Sequence, residues 1–341
     1  MYFKILREDL THHGYTYHEG LNVDPNPFDS TPNCRGGLFF ADEKKILRFC
    51  DYGTKIVEVT IPDGEAIVLV EEKYKAHRII LGQIRELWTK ETFEWLISCG
   101  ADIHACDDFA FGWISKKGDE EMVRLLLESG ADVHVDNDYA LRQAAGNGHE
   151  EVVKLLLESE ANVHARDDYA LRQAAGNGHE EVVRLLLESG ANIHACDDYA
   201  LRYASKKGHI EVVKLLLESG ADVHVDNDYA LRHASENGHE EVVGALLESG
   251  ADVHAEDDYA LRWAAQNGYD EVVRLLLELG ADVHIYDDFA LRWASANGHL
   301  EVVKFLLESG ANVHARNNFA LHWASRNGHM EVVKYLKSLY M

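Results

Sequence analysis

From residue 107 onward, apolar and polar positions recur with a strict period of 30. In DDYALRQAAGNGHEEVVRLLLESGANIHAC, residues 167–196, Ala170, Leu171, Ala174 and Ala175 fall at i, i+1, i+4 and i+5, which predicts one apolar stripe along a short helix. Asp168 stands just before the stripe, where it reads as an N-cap. Asn177-Gly178 breaks the chain, and a second helix starts near His179. Glu180 and Glu181 favour its positive end, and it continues through Val182, Val183, Leu185, Leu186 and Leu187 to a stop at Ser189-Gly190. Full copies begin at Asp107, Asn137, Asp167, Asp197, Asn227, Asp257 and Asp287. A shortened copy runs from Asn317 to Met341, and a worn one, HRIILGQIRELWTKETFEWLISCGADIHAC, occupies 77–106. Neither helix is long enough to hold alone. Only neighbouring copies can bury the Ala and Val/Leu faces, so the expected fold class is mainly α, a helical solenoid over 77–341.

Residues 1–76 lack this period. Strand-like runs (YFKIL, GGLFF, KIVEVTI, AIVLV) alternate with turn signals such as Asp24-Pro25 and Asn26-Pro27, and Lys44 to Asp51 is the one helix candidate. This predicts a small N-terminal α+β domain.

Charge narrows the partners. The chain carries a formal net charge of −26, of which residues 1–76, with 13 acidic and 9 basic side chains, hold about −4. Such a field repels phosphate backbones and anionic lipid, so nucleic acid and membrane are not expected as partners, and a basic protein surface is favoured. Cys34, Cys50, Cys99, Cys106 and Cys196 form no CxxC pair, and MYFKILREDL has no signal-peptide core, which places the protein in a reducing, intracellular compartment as a soluble chain. Cys106 and Cys196 occupy equivalent positions three copies apart, too far for a disulfide.

Eight histidines form a ladder: His104, His134, His164, His194, His224, His254, His284 and His314. Packed repeats stand about 8 to 10 Å apart, whereas zinc ligands sit about 2 Å from the ion, so no shared metal is expected and no cofactor is implied. A second series, His149, His179, His209, His239, His299 and His329, is expected to hydrogen-bond within the turn between the two helices. Lys337 replaces a leucine of the other copies (Leu277, Leu307), as an end cap requires, and Glu160 stands where others have Gly130, Gly190 or Gly220.

The pattern A-x-x-G-H-x-E-V-V-x-L-L-L-x-x-G-A-x-V resembles the core of the ankyrin repeat over 77–341. Tyr169-Ala170-Leu171-Arg172 stands where that family has T-P-L-H, and each copy is about three residues short of the usual length; the turn between copies is therefore expected to be blunted. The short form with its D-D-Y-A-L-R opening is similar to repeats of giant-virus ankyrin proteins. The resemblance implies protein binding without catalysis, in host cytoplasm or in a virion, and the sequence shows no F-box-like segment of the poxvirus kind. HHGYTYHEGLN followed by GGLFFADEKKILRFCDYG also faintly resembles the NAD-holding segments of ADP-ribosyltransferases, with His13, Phe39 and Glu65 as the nearest positions. Phe39 lacks the tyrosine hydroxyl that family uses, so an enzyme is the alternative reading.

Opposite the buried stripe Ala260, Leu261, Ala264 and Ala265 lie Tyr259, Arg262, Trp263 and Gln266. In ankyrin-like stacks that face lines the concave groove. The position after the arginine varies from copy to copy: Trp113, Gln143, Gln173, Tyr203, His233, Trp263, Trp293, Trp323. The expected partner-binding residues are Tyr259, Arg262, Trp263, Phe289, Arg292, Trp293, Phe319, His322 and Trp323, a mixture typical of interface hot spots. The competing expectation is that the tryptophans pack between adjacent copies.

Overall fold

The computed structural model describes residues 1–12 and 14–339, and the side chains at 106 and 107 also lie outside that description. The chain divides into two compact units, residues 1–162 and 163–341. Among the described residues no helix is long and apolar enough to cross a membrane.

The first unit opens with β1 (Tyr2–Leu6), β2 (Thr11–His12), β3 (Tyr15–Thr16), β4 (Gly20–Val23), β5 (Leu38–Asp42), β6 (Lys55–Thr60), β7 (Val68–Val70), β8 (Lys73–Ala76), β9 (Arg78–Leu81) and β10 (Arg85–Glu86). Apart from the β2–β3 hairpin they form one antiparallel sheet in the order β4-β9-β6-β1-β5-β8-β7, with β10 also on β6. The long apolar run of β1 earns it a central place: it pairs with β6 on one side (Ile5 opposite Ile56) and with β5 on the other, and Phe3 through Leu6 are all buried. The helix expected at 44–51 is a 3₁₀ helix, Ile46–Tyr52, burying Ile46, Leu47 and Cys50.

One departure from the sequence reading is the worn copy. Its opening does not form a helix, because Arg78-Ile79-Ile80-Leu81 alternates exposed and buried side chains with period two and pairs with β4 and β6. Only its second helix is made, Lys90–Ser98, N-capped by Thr89, whose Oγ1 accepts the Thr92 N–H.

Paired helices complete this unit: Ala105–Lys117 with Glu120–Glu128, and Val135–Gly146 with Glu150–Glu158. The second unit repeats the pair six times: Ala165–Asn177 with Glu180–Glu188, Ala195–Lys207 with Ile210–Glu218, Val225–Glu236 with Glu240–Glu248, Ala255–Asn267 with Asp270–Glu278, Ile285–Asn297 with Leu300–Glu308, and Ala315–Asn327 with Met330–Ser338. The expected stripes are the buried ones: Ala170, Leu171, Ala174 and Ala175 in the first helix, and Val182, Val183 and Leu186 in the second. The Glu pairs sit in the first turn of the second helices as the dipole requires. Lys337 is exposed, whereas Leu277 and Leu307 are half-buried.

The Asp pairs do something else. The seven first helices from Val135–Gly146 to Ala315–Asn327 each begin with a three-residue left-handed turn, for example Arg166, Asp167 and Asp168 at φ 53°, 55° and 53°. For an ordinary residue this region costs about 1–2 kcal/mol, and Asp and Asn bear it best. The second and third positions of the turn are always Asp or Asn, from Asn137-Asp138 to Asn317-Asn318, while the first varies freely (Asp136, Arg166, Cys196, Tyr286). The assignment of Asp168 as an N-cap is therefore corrected: these residues are chosen for a backbone that turns left.

Two substitutions test this packing. Ser235 Oγ is fully buried without a hydrogen-bond partner among the described residues, where sister copies carry Ala145, Ala175 or Ala265. Ser235→Ala should raise the unfolding free energy by about 1 kcal/mol, measured by denaturant titration; a loss of stability would show that the hydroxyl is satisfied. Glu160 lies at φ 66°, and nothing crowds a Cβ at the equivalent Gly130, Gly190 or Gly220, so the strain there is of the backbone alone. Glu160→Gly should stabilise by about 1 kcal/mol and slow hydrogen exchange across 150–162. Unchanged exchange there would contradict it.

Candidate functional site: an aromatic face on the repeats

Everything on the candidate face hangs from the left-handed turns. In every turn from Asp138 to Asp288 the third residue points a carboxylate inward, and Asp228 and Asp258 are almost wholly buried; the last turn ends on an exposed Asn318 instead. Asp228 Oδ1 accepts the His224 imidazole Nδ1 at 3.1 Å and the backbone N–H of Asp252, in the loop that leads into the next helix pair, at 2.8 Å. Asp168, Asp198, Asp258 and Asp288 bind the histidine four residues before them and the loop ahead of the next helix pair in the same way. Seven of the eight ladder histidines thus form imidazole–carboxylate pairs, and His314 meets the Asn318 amide oxygen instead. Among the described residues no group of three or more His, Cys, Asp or Glu is placed to hold a metal ion.

The arginine after each buried leucine closes the turn from outside. Arg262 donates from Nε to the Asp257 carbonyl at 2.9 Å and from a terminal nitrogen to the Glu256 carbonyl at 2.8 Å; Arg232 and Arg292 do the same. Each guanidinium also lies between the ring of its own copy and that of the next: Arg232 between Tyr259 and Tyr229, Arg262 between Tyr259 and Phe289, Arg292 between Phe289 and Phe319, all with centroids 5.0–5.8 Å away. Arg292 is buried and Arg262 half-buried. Among the expected partner-binding residues the two arginines therefore have their donors engaged by the backbone.

The rings remain. Tyr259, Trp263, Phe289, Phe319 and Trp323 are half-buried, His322 is exposed, and Trp293 is 37% exposed. Ring centroids link Tyr259 to Trp263 at 5.6 Å, Phe289 to Trp293 at 5.9 Å, Trp293 to Phe319 at 6.0 Å and Phe319 to Trp323 at 5.6 Å. Trp293 thus packs between two copies on one side and faces outward on the other, joining the two expectations. The band extends further toward the N-terminus than Trp263. Tyr199 stacks on Tyr203 at 4.0 Å, and Tyr229 meets His233, whose Nδ1 lies 2.7 Å from Glu236 Oε2. The Tyr259 hydroxyl donates to the same carboxylate at 3.2 Å, and burial, followed by Glu236, pushes that phenol up to about 12. The sequence signal for these rings is the variable position itself, which holds Tyr203 and His233.

The second histidine series differs from expectation. His299 Nε2 donates to the Gln266 carbonyl of the preceding copy at 3.0 Å, not within its own turn, and its ring lies against Gly268. At φ 85°, and with a Cβ there coming within 2.4 Å of the ring, Gly268 admits no other residue. His209 and His239 bind the preceding copy likewise, and Tyr269 fills the slot against Gly238.

Of the residues named for the enzyme alternative, His13 lies outside the described residues. Glu65 is engaged with Arg78, accepting from Nε at 2.7 Å and from the backbone N–H at 3.2 Å. Phe39 lines a cavity of which Glu65 is not a part.

Comparison with known proteins follows the same lines. A family model described as ankyrin repeats (three copies) matches residues 87–167, 143–227, 171–257, 224–287 and 261–340. An ankyrin repeat protein of Acanthamoeba polyphaga mimivirus is 34% identical over 132 residues, 36% of this chain and 65% of that protein. A second from the same virus is 35% identical over 123 residues, 33% of this chain and 40% of that protein. This chain thus covers less than two thirds of either relative. The crystal structure of the human ASB11 ankyrin repeat domain superposes with a TM-score of 0.51 at 27% identity, covering 57% of this chain and 96% of that one.

Burial holds the His299 imidazole below the ordinary histidine range, with the nearby His329 acting in the same direction and the Gln266 carbonyl against it. A depressed folded value means that the neutral ring's contribution is complete above about 6.5 and is lost as pH falls through the folded value. Melting temperature should drop between about pH 7.5 and pH 5, and His299→Tyr, which copies Tyr269, should reduce that drop. Parallel pH profiles for parent and variant would refute the assignment.

Proposed function

The chain belongs to the ankyrin-repeat family, and from that premise we propose that its aromatic face is the docking site of a protein partner. The observation that carries this reading is the division of labour on the face. The arginines and buried aspartates are tied to the backbone, while the ring position beside them changes from copy to copy and keeps one side open at Trp293. Tyr259, Trp263, Phe289, Trp293, Phe319 and Trp323 supply apolar contact area, and His322 adds a polar group at the end of the band. Arg262 and Arg292 hold the rings in place from behind. In this reading the partner lies along the concave side of the repeats, and the acidic chain selects one with a basic surface. With relatives encoded by a virus, the partner belongs to the host cytoplasm or to the virion. The N-terminal sheet stands apart from this task, and binding rather than catalysis is the role of the helical repeats that follow it.

Trp263→Gln combined with Trp293→Gln should weaken partner capture by about tenfold or more, as expected for hot-spot residues. The helical circular dichroism should be unchanged and the melting temperature lowered by a few degrees at most. Capture by affinity purification, followed by titration of the purified partner, measures the first; thermal melts measure the second. A variant that melts far below the parent would make the rings framework and sink the docking assignment.

A further inference from the structure

Lys4 interrupts the apolar run of β1 in the middle of the sheet. The side chain is only 3% exposed. Its Nζ donates to the Phe39 carbonyl at 2.6 Å, lies 3.4 Å from His12 Nδ1, and stands 4.4 Å from the centroid of the Tyr17 ring. It abuts a cavity of about 300 Å³ walled mainly by Phe39, Phe49 and Tyr52, with His12 and Lys73 at its polar edge. Lys73 reaches over the Phe39 ring at 4.8 Å. A second hollow of about 390 Å³ shares His12, Phe39 and Lys73 with the first.

What is missing from this lining is a negative charge. No Asp or Glu lines the first cavity. Asp24, in the wall of the second, accepts from the Gly37 and Asn26 backbone N–H groups. Lys55 shows the usual arrangement in this domain, paired with both Glu8 and Glu86, whereas among the described residues neither Lys4 nor Lys73 is ion-paired. In a chain of net charge −26, two ammonium groups converge on an apolar cavity with no counter-ion of their own. A buried charge without a partner is strongly destabilising, so an apolar residue would serve β1 better unless an anion completes the site. The volume is at the small end of ligand pockets, enough for a molecule of one or two rings.

We propose that this cavity binds a small aromatic carboxylate, its ring among Phe39, Phe49 and Tyr52 and its carboxylate between Lys4 and Lys73. The electrostatics of the lining support this: burial first, and then the Lys73 charge, lower the Lys4 ammonium to about 7. A bound carboxylate offsets both effects by supplying the counter-charge. Binding must then draw a proton onto Nζ, which a merely apolar pocket would not do.

The test is isothermal titration of the full chain with naphthoate and with its neutral isostere naphthamide, in two buffers of different ionisation enthalpy. Naphthoate should bind one per chain and take up close to one proton at about pH 8, with affinity falling roughly tenfold per pH unit above about 7. Naphthamide should bind at least tenfold more weakly. Lys4→Met should remove binding and the proton uptake together, and may be replaced as a test by Lys73→Gln, a half-exposed site whose change leaves the core intact and should weaken naphthoate severalfold. Naphthoate and naphthamide binding alike, no saturable naphthoate binding below about 1 mM, absence of proton uptake, or unaltered affinity in Lys73→Gln would each overturn the proposal. None of these outcomes bears on the aromatic face of the repeats.

Discussion

A single carboxylate oxygen ties each helix pair of the second unit but the last to the loop that leads into the next pair. Asp198 Oδ1 takes the imidazole four residues before it and the backbone N–H of Asp222 twenty-four residues after it, and Asp228, Asp258 and Asp288 repeat the arrangement. Hydrogen bonds to a charged acceptor contribute about 1.5–3 kcal/mol each, and a buried N–H that lost its acceptor would carry a penalty of similar size. The bond therefore acts twice, by rewarding correct stacking and by penalising any neighbour that slips. Apolar burial alone cannot do this, because Ala and Val/Leu stripes tolerate small shifts along the helix axis. Registration is what the polar joint adds.

To hold that oxygen in place the backbone must turn left for three residues, and the rest of the repeat is arranged around the cost. Asp or Asn fills the two positions where strain is best tolerated by the side chain. The arginine that follows bonds the first two carbonyls of the turn, and its flat face is then free to receive rings from both sides. Turn, carboxylate, guanidinium and ring form one unit. A change in any of them removes support from the others, which gives a physical reason why D-D-Y-A-L-R recurs so faithfully along the chain.

The helices and their buried faces could be read directly from the period, since Ala170, Leu171, Val182 and Leu186 obey helical spacing without competition. Reading failed where one residue type serves several conformations. An Asp before an apolar stripe is the ordinary mark of an N-cap, and nothing in the local pattern distinguishes it from an Asp in a left-handed turn. Repetition of Asp-Asp or Asn-Asp was the available clue, because a cap requires one such residue and not two. The worn copy misled for a different reason. Its histidine-to-cysteine frame aligns with the repeats, but Arg78-Ile79-Ile80-Leu81 has period two, and the sheet claims it. Lys4 was hidden in plain view: a lysine in a strand-like run is usually at a solvent-facing position, and only the pairing of β1 on both edges shows that it is buried.

The position that follows each arginine differs from its neighbours in what it would lose on substitution. Apart from His233, whose imidazole meets Glu236, its side chain carries none of the polar joints described above, so Trp, Tyr and Gln can exchange there at the cost of ring contacts alone. Such contacts add about 0.5–1.5 kcal/mol per pair beyond area burial, less than a carboxylate joint and its penalty taken together. A repeat protein that must acquire new surfaces without losing its fold has few places to change, and this one is flanked on both sides by the parts that cannot. Aromatic side chains suit it for a further reason. Tyr199 with Tyr203, and Phe289 with Trp293 and Phe319, are already held by their neighbours, so little side-chain entropy is left to lose when another surface covers them. The rigidity that the frame requires for stacking is, at this position, the same rigidity that makes a ring an effective anchor.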